Sequence, residues 1–184
     1  MPYISVNLIG LVKISELSSI LKELEDLFLF PFRMEKRFDY PLYAYEPKRN
    51  QYYAYKIIKN LLNECSDDVI KFVGITDIDL CTPVLEFIFG EAQFNGKVAL
   101  ISSHRLRQEF YHLSPDINLL LVRLKKVLAH ELGHCFGMVH CDDGSCVMYL
   151  SNNIFTLDNK KSHFCPRCGD FIKEKVKKEY YGKA

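Results

Sequence analysis

Residues 130–141 read His-Glu-Leu-Gly-His-Cys-Phe-Gly-Met-Val-His-Cys, and this dozen constrains the fold more than any other stretch of the chain. His130 and His134 are four apart, so on a helix they sit one turn above each other on one face. Their imidazoles can then converge on one ion at about 2.0–2.1 Å, the usual Zn–N distance. Glu131 lies beside them, near enough to take a proton from water in the coordination sphere. Gly137 can adopt the left-handed backbone that ends a helix and turns the chain, bringing His140 back as a third ligand. Three ligands leave a fourth position open, and a carboxylate that stays off the metal has no use in a closed structural site. A bare HExxH arises by chance from surface or capping histidines, but Gly137 and His140 in register make that coincidence remote. The pattern requires a helix with an immediate chain reversal, and its chemistry reads as hydrolytic.

Four of the seven cysteines form two short-spaced pairs, Cys141-x4-Cys146 and Cys165-x2-Cys168. The N-terminus has no basic segment followed by an apolar block and a small-residue cleavage site, so the expected compartment is the cytoplasm. The first strand is expected almost at Met1, which leaves no room for a pro-segment. In that setting paired cysteines suggest a metal before a disulfide framework. Four thiolates make a closed tetrahedral set for zinc; the plain alternative is four reduced thiols lying near one another. His163, two residues before Cys165, can replace one ligand or be polar surface. Cys65, Cys81 and Cys135 read as small buried residues.

The net charge is +1 with acids and bases interspersed, which gives no electrostatic case for nucleic acid. A zinc-ribbon-like nucleic-acid binder is weak on the same ground. The basic stretch at residues 173–178 contains Glu174 and reads as the solvated face of a terminal helix. No apolar run approaches the about 18–20 residues needed to span a bilayer, so no membrane role is expected. With 184 residues, 48% of them apolar, and 13 Phe and 11 Tyr for bulk, the chain suits one domain with a real core. Residues 1–137 would form an N-terminal subdomain with the sheet and the metal-binding helix, and residues 138–184 a small C-terminal one.

Residues 3–9 alternate as a first strand. Apolar residues at 14, 17, 20, 21, 24, 27 and 28 mark a helix over residues 14–29. Residues 30–40 predict a strand and turn, 51–65 a second helix, and 69–76 a central strand. After a loop at residues 77–83 and an aromatic segment at 84–89, Asn95-Gly96 signals a tight turn into a strand over residues 97–103. Ser114-Pro115-Asp116 reads as a helix start, with Ser as cap and Pro at the first position. That helix buries Ile117, Leu120, Leu121, Leu124, Val127 and Leu128 and runs through His134. This order argues for an α/β (α+β) fold, a mixed twisted sheet with packed helices.

The extended histidine motif is that of the metzincin clan of zinc peptidases. Its continuation, His140-Cys141-x4-Cys146-x-Met148 and then Cys165-x2-Cys168, resembles the archaemetzincins over residues 127–168. The resemblance implies two zinc ions per chain. One is catalytic, on His130, His134 and His140 with Glu131 as general base; the other is structural, on Cys141, Cys146, Cys165 and Cys168, in a small C-terminal lobe. Met148 falls at the Met-turn, whose side chain underlies the histidines. The loop from Met148 to Cys165 is a residue shorter than the family pattern. Some metzincins carry a functional Tyr two residues after that Met; here Tyr149 is adjacent and position 150 is Leu, so the role is not carried over. In the clan an antiparallel edge strand binds extended peptide, and residues 97–103 are the candidate, with residues 77–94 as one wall.

The leading expectation is a zinc metallopeptidase acting on a peptide or small protein. The competing class is a zinc-stabilised peptide- or protein-binding module with little proteolytic activity, and an intact Glu131 argues against it. His104 and His112 read equally as surface or substrate-site groups, and Tyr111 as a weakly supported oxyanion donor.

Overall fold

Runs that are apolar on both faces become inner strands, and alternating runs become covered on one face only. The computed structural model of the chain describes residues 2–12 and 17–182. Its elements, in chain order, are β1 (Tyr3–Ile9), α1 (Leu17–Phe28), β2 (Phe32–Phe38), β3 (Tyr45–Glu46), β4 (Gln51–Tyr53), α2 (Ala54–Glu64), β5 (Val69–Thr76), β6 (Leu80–Cys81), β7 (Gly90–Ala92), β8 (Val98–Ser102), α3 (Ile117–Cys135), α4 (Ile154–Asn159) and α5 (Pro166–Val176). The main sheet has the order β2-β1-β5-β8-β7. Its first four strands are parallel and β7 is antiparallel to β8. A smaller sheet, β3-β4-β6, lies beside it. The mixed sheet with packed helices is the expected architecture.

β5 is buried at all eight positions and β8 at all five. Along β8, Ala99 and Ile101 join the apolar cluster of α1 and α3, while Val98 and Leu100 join that of α2. The sheet is thus covered on both faces. Beyond Gly137, Val147, Met148, Ile154, Leu157, Phe164, Ile172 and Val176 enter the same cluster as α1 and α3. Among the described residues no helix is long and apolar enough to cross a membrane.

Three expectations are corrected. Residues 97–103 are not the edge: β8 lies between β5 and β7, and the antiparallel edge is Gly90–Ala92. The uninterrupted apolar run Val-Ala-Leu-Ile already marked an inner strand, whereas Gly90-Glu91-Ala92 is too short to show a period. The helix expected from residue 51 begins at Ala54, because Gln51–Tyr53 pairs with β3 and β6. The helix cap at the third position is Asp116, not Ser114: the Asp116 carboxylate accepts from the Leu119 amide at 2.9 Å. The expected start of α1 at residues 14–16 lies outside the described residues.

α3 is buried over most of its length, and its buried cations are engaged. Arg123 holds Asp158 through two bonds of 2.8 and 2.6 Å and the Leu106 carbonyl at 2.9 Å. Lys126 donates to the Leu157 and Asp158 carbonyls. At the other end, Lys71 of β5 donates to the carbonyls of Cys135 and Gly96, both at 2.8 Å. The Asn95 amide donates to the His134 carbonyl at 2.8 Å. The β7–β8 hairpin turn therefore caps the end of α3 that carries the histidines.

If Asp116 is the cap, Asp116→Ala should lower unfolding free energy by about 0.5–2 kcal/mol, while Ser114→Ala should change it little. Urea denaturation of both variants checks this; the reverse ranking would restore Ser114 as the cap.

Candidate metal centres and cleft

His130 and Glu131 are each 8% exposed, so their polar atoms need partners inside the protein. His130 Nδ1 lies 2.9 Å from the Val147 carbonyl and His134 Nδ1 2.8 Å from the Met138 carbonyl. A carbonyl only accepts, so Nδ1 carries the proton on both rings and Nε2 is left with its lone pair. The two Nε2 atoms are 3.1 Å apart. Gly137, at φ +86°, reverses the chain and delivers His140, whose ring centroid is 5.3 Å from that of His130 and 4.9 Å from that of His134. One nitrogen from each of the three rings lies within 4.8 Å of the others.

Burial pushes the pKa of all three imidazoles down, and Lys160 adds to this. They are therefore neutral near pH 7, as metal ligands must be. Oriented, neutral and convergent nitrogens fit a divalent cation. Burial pushes the Glu131 carboxyl up to about 8, with Lys160 opposing and Glu91 adding to the rise. A dication on the three rings would act in the opposite sense.

Met148 is fully buried under this site. A Cβ built on Gly133 would lie 2.4 Å from its Sδ, so the glycine inside HELGH is the space the thioether occupies. Gly90 has the same role on the other side: a Cβ there would come 2.8 Å from Glu131 Cγ and 2.9 Å from the Leu100 carbonyl oxygen. The edge strand β7 thereby lies directly against Glu131.

The thiols of Cys141, Cys146, Cys165 and Cys168 also gather within 4.8 Å of one another. The Cys141 and Cys165 sulfurs are 3.8 Å apart and unbonded, since a disulfide needs about 2.05 Å. Burial raises the Cys141 thiol, but bonds from the Asp143 backbone and the Arg167 guanidinium outweigh it and bring it down to about 7. Four gathered sulfurs beside a guanidinium are a donor set that suits zinc. His163 is not in this cluster; its carbonyl accepts from the Val147 amide.

A cleft of about 600 Å³ opens over His130, Glu131, His134 and His140, walled by residues 84–92 and by Leu150, Leu157 and Lys160. The wall at residues 82–86 is pinned by Arg49, whose guanidinium donates to the carbonyls of Thr82, Leu85 and Glu86 at 2.9, 2.7 and 2.6 Å. The residues weighed as alternatives stand elsewhere. Tyr111 donates to the Arg105 carbonyl and His104 faces the Asp77 carbonyl. His112 is exposed, and Cys135 is in the core with its thiol pushed up to about 12 by burial. Sequence reasoning missed Gly90, Gly133, Lys71 and Lys160. Only the two glycines left a trace, as helix- or strand-weakening residues without a turn to make.

A family model described as peptidase family M54 matches residues 20–174. The archaemetzincin of Methanocaldococcus jannaschii is 41% identical over 132 residues, 72% of either chain. The crystal structure of archaemetzincin from Methanopyrus kandleri superposes with a TM-score of 0.80 at 34% identity, covering 95% of this chain and 96% of that one. The structure of a zinc-dependent peptidase from Methanocorpusculum labreanum gives 0.84 at 30% identity, over 92% and 99%.

The contact between Gly133 and Met148 makes its own prediction. Gly133→Ala would gain about 1 kcal/mol of helix propensity, but overpacking costs about 1–3 kcal/mol and should win. A fall in Tm is expected; a rise would mean that Met148 yields without cost.

Proposed function

Because the chain belongs to peptidase family M54, as an archaemetzincin, it is a zinc-dependent peptidase, and we propose that His130, His134 and His140 hold the catalytic zinc while Glu131 is the general base. The observation that carries this reading is the convergence of three neutral imidazoles at the floor of a cleft that also contains a buried carboxylate outside that trio. When bound, zinc supplies the Lewis acidity that polarises a peptide carbonyl and brings the pKa of a water from 15.7 toward about 7. Glu131 accepts a proton from the attacking water and passes it to the departing amine. Val147 and Met138, through their carbonyls, hold the His130 and His134 rings in the orientation that ligation requires.

An extended peptide would add antiparallel to β7, whose outer edge faces the cleft and whose Gly90 brings the backbone close to Glu131. Main-chain pairing of this kind accepts many sequences. Selection falls to the side chains along the wall at residues 84–89 and to Leu150 and Leu157. The four cysteines would hold a second, structural zinc. Because Cys141 follows His140 directly and its amide donates to the Met148 carbonyl at 3.0 Å, order in the thiol cluster passes straight to the third histidine. Thiols reserved for a metal suit a reducing compartment, which supports the cytoplasm as the site of action.

Elemental analysis should find two zinc ions per chain in wild type and in Glu131→Gln, with peptide hydrolysis reduced by about 10²–10⁴-fold in the variant. Two ions in both proteins with equal hydrolysis would remove Glu131 from the mechanism. Two ions without cleavage of any peptide by wild type would favour the binding-module reading. Cys168→Ala should hold one zinc, lose order around residues 138–168 and lose activity together. Full activity with one zinc in that variant would sever the coupling between the two centres.

A further inference from the structure

Lys160, which ends α4, is 3% exposed, and the reaction as described has no use for it. Its Nζ donates to the Val147 carbonyl at 2.8 Å and to the Tyr149 carbonyl at 2.9 Å. These two carbonyls flank Met148. The Val147 carbonyl is also the acceptor for His130 Nδ1, and Lys160 Nζ comes within 3.5 Å of that nitrogen. One carbonyl oxygen therefore receives both the histidine and the lysine. A carbonyl has two lone pairs, so both bonds can be made in full.

Without Lys160, the turn at residues 147–149 would keep three backbone links: the Val147 amide to the His163 carbonyl, the Tyr149 amide to the Cys146 carbonyl, and the Cys141 amide to the Met148 carbonyl. None of them fixes the Val147 or Tyr149 oxygen. The Val147 oxygen sets the direction in which the His130 Nδ1–H bond points, and with it the direction of Nε2. Lys126 provides an internal comparison. It is 5% exposed and also uses its ammonium on two carbonyls, those of Leu157 and Asp158 at the end of the same helix. It makes no bond to the turn or to a histidine.

We propose that Lys160 is a positioning residue for the catalytic metal: by clamping the carbonyls on both sides of Met148 it holds the Val147 oxygen where it orients His130 as a ligand. This rests on the reading of the three histidines as the catalytic zinc site. The effect of the clamp opposes that of its charge. A cation beside a dication weakens metal binding by repulsion, so a lysine that served no positioning role would lower affinity, and its loss would tighten binding.

The test is zinc affinity by chelator competition, together with the rate of zinc release, on the full chain of wild type, Lys160→Met and Lys126→Met. Thermal unfolding is followed on the same samples. Lys160→Met should bind the first-released zinc about 10- to 100-fold more weakly, the range for loss of an outer partner of a ligating histidine. The zinc of the thiol cluster should be retained. Lys126→Met should lose thermal stability without that change in affinity. Lys160→Arg, which restores donors to both carbonyls, should recover part of the lost affinity. Unchanged or tighter zinc binding in Lys160→Met would overturn the proposal, as would equal weakening in both methionine variants. A wild-type protein holding one zinc would instead strike the histidine-site reading itself, so the two failures are distinct.

Discussion

The end of α3 that carries the histidines is held by a lysine from the central strand of the sheet. Lys71 lies on β5, where every position is buried, and burial pushes its pKa down. Its ammonium is offset by two carbonyl acceptors, those of Cys135 and Gly96, and by the Phe136 ring at 4.6 Å. A helix leaves its last four carbonyls without intrahelical partners, and a buried C-terminus must find them elsewhere. Here the Leu132 and Gly133 carbonyls accept from the Phe136 and Met138 amides, and those of His134 and Cys135 are met by the Asn95 amide and Lys71, both tied to the β7–β8 turn. Satisfying the helix end therefore fixes the edge strand beside it, and the cleft is the space between the two.

The segment after Gly137 is attached in the same way. Arg123, Lys126 and Lys160 are all buried and all bind α4 or the turn before it. Lys126 donates to carbonyls at the C-terminal end of α4, where cations are favoured by the helix dipole. Apolar contacts from Ile154, Leu157 and Phe164 supply burial, but they are non-directional. The cations supply direction, because each hydrogen bond has a preferred angle. A site in which three rings must meet within a few ångströms needs the second kind of contact as well as the first.

The residues of the two candidate metal sites were legible because metal ligation restricts residue type, and helix geometry restricts spacing. His130, Glu131, His134, Gly137, His140 and the four cysteines could be named from the chain alone. The central strand β5 could be named as well, since its run from Val69 to Ile75 is apolar but for Lys71. The edge strand could not. Gly90-Glu91-Ala92 has three residues, fewer than any periodicity needs, and its place is set by pairing with β8. Asp116 and Ser114 are both good caps by composition, and only the observed bond to Leu119 separates them. Lys71 and Lys160 carry no sequence mark at all: a lysine in a strand or after a short helix is ordinarily solvated.

The sequence by itself determined which side chains could ligate, because that information is local: one short run for the histidines and two short-spaced pairs for the cysteines. It also determined the mixed sheet, through the length and polarity of its runs. Tertiary structure decided which strand lines the cleft, which carbonyls the histidine rings meet and which backbone carbonyls the buried lysines reach. Those contacts join residues that no local pattern links, Lys71 to Cys135 and Lys160 to Val147, and a backbone carbonyl is the same group in every residue. Its role exists only once the fold has brought a donor to it.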